Sequence, residues 1–168
     1  MMNQLLELII KGGAVKRYHN EMVTPQTVGH HSYGVAWLCW ILSGQNPSSA
    51  LLMAAISHDT AEGVVGDVPA PTKRAIPGLK AMLDEYEERA MKNAGISLMP
   101  LTGTEVRILK LADVMEGMMF CISERATGNQ NAEVIYANFV NYATQLKLTG
   151  VEITLFTMLQ EGWDHVSQ

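Results

Sequence analysis

The sequence predicts an all-α fold, a compact helical bundle of six or seven helices, on three observations. Apolar residues recur at three- and four-residue spacing in successive segments separated by glycines. No run alternates apolar and polar residues for long enough to make a useful strand. No Gly-x-Gly-x-x-Gly or Walker loop is present, and no internal repeat shows. At 168 residues and 48% hydrophobic content, residues 1–168 are expected to form one domain with a real core.

The formal net charge is −5, from 12 Lys+Arg against 17 Asp+Glu, and no basic block stands out. General affinity for a nucleic acid backbone or an anionic membrane is not expected, whereas a small anionic substrate needs only a few local cations. Cys39 and Cys121 lie in apolar segments without metal-type spacing and read as buried reduced thiols. Met1-Met2-Asn3-Gln4 carries no cationic leader, and no apolar stretch is long and clean enough to cross a bilayer. A cytoplasmic location is expected.

Leu5, Leu6, Ile9 and Ile10 predict a first amphipathic helix from Asn3 to Lys11, ended by Gly12-Gly13. Lys16-Arg17-Tyr18-His19-Asn20 then reads as a polar loop, either plainly solvated or suited to hold a phosphate with Arg17. Thr24 or Thr27 can open a second helix that runs to Gly44 and carries His30 and His31. These two point about 100° apart, so only one easily faces a common interior point. On spacing alone, that one reads as a buried, hydrogen-bonded core histidine.

A third helix is expected from Pro47, capped by Asn46, to about His58. Ala50 to Ile56 is apolar on every side, as in a buried helix. Its end delivers Ser57-His58-Asp59-Thr60-Ala61-Glu62-Gly63-Val64-Val65-Gly66-Asp67, the stretch of the chain densest in titratable groups. On a continued helical turn Glu62 shares a surface with His58 and Asp59, and the glycines bring Asp67 back. An imidazole and carboxylates delivered by an apolar helix need partners or a metal.

Val68-Pro69-Ala70-Pro71-Thr72-Lys73-Arg74 reads as a stiff proline-rich loop that cannot be regular helix. Gly78 to Asn93 follows as a helix with Leu79, Met82, Leu83, Tyr86 and Ala90 as its buried stripe. Thr104 to about Arg125 forms the longest apolar helix. There Lys110 and Asp113 lie three apart, the spacing of an exposed ion pair. Ala132 to Leu146 and Val151 to Asp164 supply two last helices, and His165 reads as exposed near the chain end.

Taken together, Arg17, Gly29-His30-His31-Ser32, His58-Asp59-Thr60-Ala61-Glu62, Gly66-Asp67-Val68-Pro69-Ala70-Pro71-Thr72-Lys73 and Lys110-Leu111-Ala112-Asp113 resemble the HD-domain metal-dependent phosphohydrolases. More narrowly they resemble the YfbR-like 5'-deoxynucleotidases and the short phage dATP triphosphohydrolases. The resemblance implies an HD-type bundle with His31, His58, Asp59 and Asp113 as metal ligands, and it overrides the spacing-based readings of His31 and Asp113. Such a mixed nitrogen and oxygen set suits Mn, Co or Zn, with Mg possible as a second ion.

Glu62, one helical turn from these ligands, suits a general base for the metal-bound water or an anchor for a second ion. Asp67, arriving on the glycine turn, is the catalytic candidate to donate a proton to the departing 5' oxygen or to position that end of the substrate. The resemblance assigns substrate contacts to Arg17, Tyr18, Pro71 and Lys73. Tyr18 stands where these relatives usually carry a tryptophan, and Asn20 is polar where the adenine-specific phage enzymes carry an apolar residue. The expected substrate is dATP, cleaved to deoxyadenosine and triphosphate. The alternatives are a 5'-nucleotidase acting on deoxynucleoside monophosphates and a non-catalytic nucleotide-binding module. A homo-oligomer, dimer or hexamer, is the expected assembly, in a host cytoplasm if the chain is phage-encoded.

Overall fold

The computed structural model describes residues 2–18 and 21–168. His19 and Asn20, and with them the polar-for-apolar exchange noted at Asn20, lie outside the described residues. The described residues form eight α-helices, a short 3₁₀ turn and a two-residue strand pair. The all-α expectation is met.

Helix α1 (Met2–Ala14) continues through Gly12-Gly13 rather than ending there. The reason is packing. A Cβ on Gly12 would lie 2.2 Å from the Thr60 carbonyl oxygen, and one on Gly63 would lie 2.7 Å from the Gly12 nitrogen. Two main chains touch, and only glycines allow it.

Strands β1 (Lys16–Arg17) and β2 (Gln26–Thr27) pair antiparallel, with Arg17 opposite Gln26. This clip was not expected, because two residues are too few to show an alternation. Thr27 ends it by capping α2 (Val28–Leu42), its hydroxyl accepting the His30 N–H. Val28, His31, Ser32, Val35, Leu38, Cys39 and Leu42 form the buried face at helical spacing. His30 is exposed.

Helix α3 spans Ser49–Ser57, capped by the Ser48 hydroxyl, which accepts the Leu51 N–H at 3.0 Å; the expected start at Asn46-Pro47 is two residues early. Nor is α3 buried all round. Leu51, Ala54 and Ala55 face the core, whereas Met53 and Ile56 are about half exposed (49% and 52%). After α3 the chain tightens into the 3₁₀ turn Thr60–Val64 instead of continuing as α-helix. Gly66, at φ 78°, then reverses the backbone as expected.

The stretch expected as irregular loop contains α4 (Ala70–Ala75). Pro69 is its cap and Pro71 lies in its first turn, where proline has no helical N–H bond to lose. In α5 (Leu79–Asn93) no residue is fully buried, and Met82 of the expected stripe is 70% exposed.

Helix α6 (Gly103–Ala126) is the central element, opened by a capping box between Thr102 and Glu105. Leu111, Ala112, Met115, Met118 and Cys121 are wholly buried along it. It packs on α2, α7 (Ala132–Gln145) and α8 (Val151–Val166). Arg107 closes the α8 side by gripping Glu152 and the Leu146 carbonyl. Both cysteines are buried and free, and burial pushes each thiol up to about 12. Among the described residues no helix is long and apolar enough to cross a membrane.

Candidate metal centre

Three elements meet at one point. The buried face of α2 carries His31, which has no exposed surface; the end of α3 carries His58 and Asp59; the middle of α6 carries Asp113. The Nε2 atoms of His31 and His58 lie 3.1 Å apart. Asp113 Oδ1 is 3.3 Å from His31 Nε2, and Asp59 Oδ2 is 3.5 Å from His58 Nε2 and 3.7 Å from His31 Nε2. Ligand atoms of His31, His58 and Asp113 all fall within 4.8 Å of one another.

The other nitrogen of each ring is already committed. His58 Nδ1 lies 2.9 Å from the Ala55 carbonyl, which can only accept, so Nδ1 carries the proton. His31 Nδ1 contacts the Glu116 carboxylate in the same sense. Both Nε2 lone pairs are thereby aimed at each other amid two carboxylates. That arrangement is repulsive until a cation or a shared proton lies between them. The donor set therefore fits a divalent transition metal of the Mn, Co or Zn kind.

Electrostatics agree with this reading. Burial alone would raise the pKa of Asp113, but His31 and Lys110 hold it well below the usual carboxylate range. Burial alone would lower that of His31, but its bonds to Asp113 and Glu116 raise it. The ion pair expected between Lys110 and Asp113 is present too, at 3.1 Å through Oδ2. One carboxylate thus serves both arrangements, with a different oxygen for each.

Glu62 sits on the 3₁₀ turn, 7% exposed, and its Oε2 is buried without a hydrogen-bond partner. Burial, then the negative charges of Asp59 and Asp67, pushes it up to about 8. Asp67 accepts the backbone N–H of Tyr18 at 3.3 Å, joining the glycine turn to the strand clip. Arg17 points inward, its side chain 13% exposed, bonded to Gln26 and 3.6 Å from Glu116. Lys73 is half-buried on α4, close enough to Glu62 to act on its charge, and Pro71 is exposed in the first turn of the same helix.

Tyr18, the residue that stands in place of the relatives' tryptophan, packs inward. Its ring stacks on Phe120 at 5.4 Å, and its hydroxyl is buried without a partner. It adopts φ 60°, a left-handed conformation uncommon for a bulky residue. Burial pushes this phenol well above the usual tyrosine range, so it stays protonated.

Glu116 and Gln26 were missed from sequence. The available signal was the Asp113-x-x-Glu116 spacing, which puts two acids on one face of an otherwise apolar helix.

Comparison with known proteins agrees with this architecture. The chain matches the family described as 5'-deoxynucleotidase YfbR-like over residues 5–161. It is 25% identical over 130 residues to a 5'-deoxynucleotidase YfbR of Photorhabdus temperata, an alignment that covers 64% of this chain and 66% of that relative, just under two thirds of its length. Its fold is similar to an HD-domain phosphohydrolase from Listeria innocua, with TM-score 0.72 and 21% identity over 97% and 92% of the two chains. It is also similar to the cyanophage S-2L HD phosphohydrolase DatZ, bound to dA and one catalytic Zn2+ ion, with TM-score 0.60 and 19% identity over 99% and 96%. With residues 5–161 matched, and with its helices gathered around the histidine and aspartate cluster, the chain belongs to the 5'-deoxynucleotidase YfbR-like family.

Proposed function

We propose that the chain is a metal-dependent phosphohydrolase that cleaves deoxynucleotides at the α-phosphorus. The observation that carries this is the convergence of two histidine Nε2 atoms with Asp59 and Asp113, beside a buried carboxylate and an inward arginine. His31, His58, Asp59 and Asp113 would hold the cation, which when bound lowers the pKa of a water and polarises a phosphoryl oxygen.

The chain's own residues supply the remainder. Glu62, poised by burial to take a proton near neutral pH, is the base for the attacking water. Arg17 neutralises charge on the phosphate from within, and Lys73 does so from α4. As the water oxygen bonds to phosphorus and the bond from phosphorus to the 5' oxygen breaks, Asp67 is the group that passes a proton to that oxygen, which leaves as the nucleoside hydroxyl.

dATP is the substrate of this reading, giving deoxyadenosine and triphosphate. Lys73, near Glu62, and Lys110, paired with Asp113, provide cations beside the cluster for more than one phosphate. The likeness to DatZ, a protein bound to dA, runs across nearly the whole of both chains and supports deoxyadenosine as the product. The YfbR-like match supports a second reading, a 5'-nucleotidase on deoxynucleoside monophosphates.

Incubation of Mn2+- or Zn2+-loaded protein with dATP, dGTP, dAMP and dTMP separates the two. Triphosphate release from dATP is expected, and activity confined to monophosphates selects the second reading. Glu62→Gln is expected to lower turnover at least about a hundredfold with metal still bound. Nucleotide binding without turnover in the parent protein would identify a non-catalytic module.

A further inference from the structure

Glu116 stands behind the cluster rather than in it. It is 6% exposed, one helical turn beyond Asp113 on α6, and both its oxygens are engaged. Oε2 contacts His31 Nδ1 and lies 3.6 Å from Arg17 Nη1. Oε1 accepts the side-chain amide of Gln26 at 2.8 Å, and the Gln26 oxygen in turn accepts from Arg17 at 3.3 Å. One carboxylate therefore fixes which nitrogen of His31 carries the proton, and also fixes the guanidinium through the β2 amide.

The neighbouring helix leaves room for it. Gly34 lies three residues after His31 on α2, and a Cβ there would come within 2.7 Å of Glu116 Cγ. Cγ is not the free end of a side chain, so even an alanine would push the carboxylate out of place. A glycine inside a helix costs about 0.5–1 kcal/mol relative to alanine. At this position it makes space for Glu116.

We propose that Glu116 is a positioning residue that couples the metal site to the phosphate-binding arginine, holding His31 with Nε2 toward the cation and Arg17 at the same depth. This rests on the metal-site reading above. Outer carboxylates of this kind raise ligand basicity and fix ring orientation, and losing one typically costs 10- to 100-fold in metal affinity or activity.

Calorimetric titration of Mn2+ into the full chain, without substrate, tests it. For Glu116→Gln we expect an affinity about 10- to 100-fold below the parent and a raised KM for nucleotide, with unchanged far-UV circular dichroism. Gly34→Ala keeps every charged group and is expected to weaken Mn2+ binding in the same direction. Should either variant fail to fold, nitrogen-15 histidine spectra of the Zn2+-loaded parent decide. His31 must then show a protonated Nδ1 and an unprotonated Nε2, and the opposite tautomer overturns the proposal. A parent that binds Mn2+ alongside folded variants within twofold of it overturns the role of Glu116 alone. A parent that binds neither Mn2+ nor Zn2+ overturns the metal-site reading and this proposal with it.

Discussion

Glu62 is a carboxylate held among other carboxylates, and its burial gives the metal-free protein a definite pH behaviour. Because the folded state pushes it from 4.5 up to about 8, the folded chain binds a proton that the unfolded chain releases between those values. Stability of the metal-free protein should fall as pH rises through that window, by on the order of a few kcal/mol. Glu62→Gln should flatten the fall. Urea titrations at pH 5, 6.5 and 8 measure it, and parallel slopes for parent and variant would remove Glu62 as the cause. His31 also has a raised pKa, so its contribution is lost in the same direction; the difference between parent and variant isolates Glu62. Single residues were unevenly legible in the sequence. Spacing left His31 and Asp113 looking like a core histidine and a surface ion pair, and only the assembled motif distinguished them. Glu116 lies three residues after Asp113, a spacing that marks a shared helix face but names no partner, so its role appears only once α2 and the strand clip are folded against α6.

At the scale of elements, the helical period marked the long segments well and the short ones poorly. α2 buries residues at three- and four-residue spacing from Val28 to Leu42, so its face could be read directly, whereas α6 is buried at every position from Val114 to Met118. α4 was hidden by two prolines whose cost applies to a helix interior, not to a cap or first turn. The first helix was cut short because glycine is read as a stop, whereas Gly12 is there for contact with Thr60. A paired substitution tests that explanation. Gly12→Ala should destabilise the fold by about 1–3 kcal/mol through overpacking, and should lower turnover by shifting the turn that carries Glu62. Gly13→Ala, where nothing lies within 4 Å of the added methyl, should be neutral or slightly stabilising. Thermal melts and rates of the two proteins check both, and equal behaviour would discard the packing argument.

Across the whole molecule, the cluster draws on α2, the end of α3 and α6, whose ligands span residues 31 to 113. A cation bound there ties distant parts of the chain together only in the folded state. Mn2+ at about 100 times its Kd should therefore add about 2.7 kcal/mol, or about 5–10 °C in Tm for a chain of this size. Asp113→Asn should abolish the shift, and a shift that survives would place the ion elsewhere. The sequence revealed the bundle because its period is written in every long helix. It concealed the strand clip, because two residues have no period at all.

The seam where Gly12 meets Thr60 and Gly63 consists of main-chain atoms, without a side chain to trim or lengthen. Exchanges on α4, at Pro71, Lys73 or Arg74, leave that seam intact. Side chains on α4 can accordingly vary while the turn that carries Glu62 stays at its original depth.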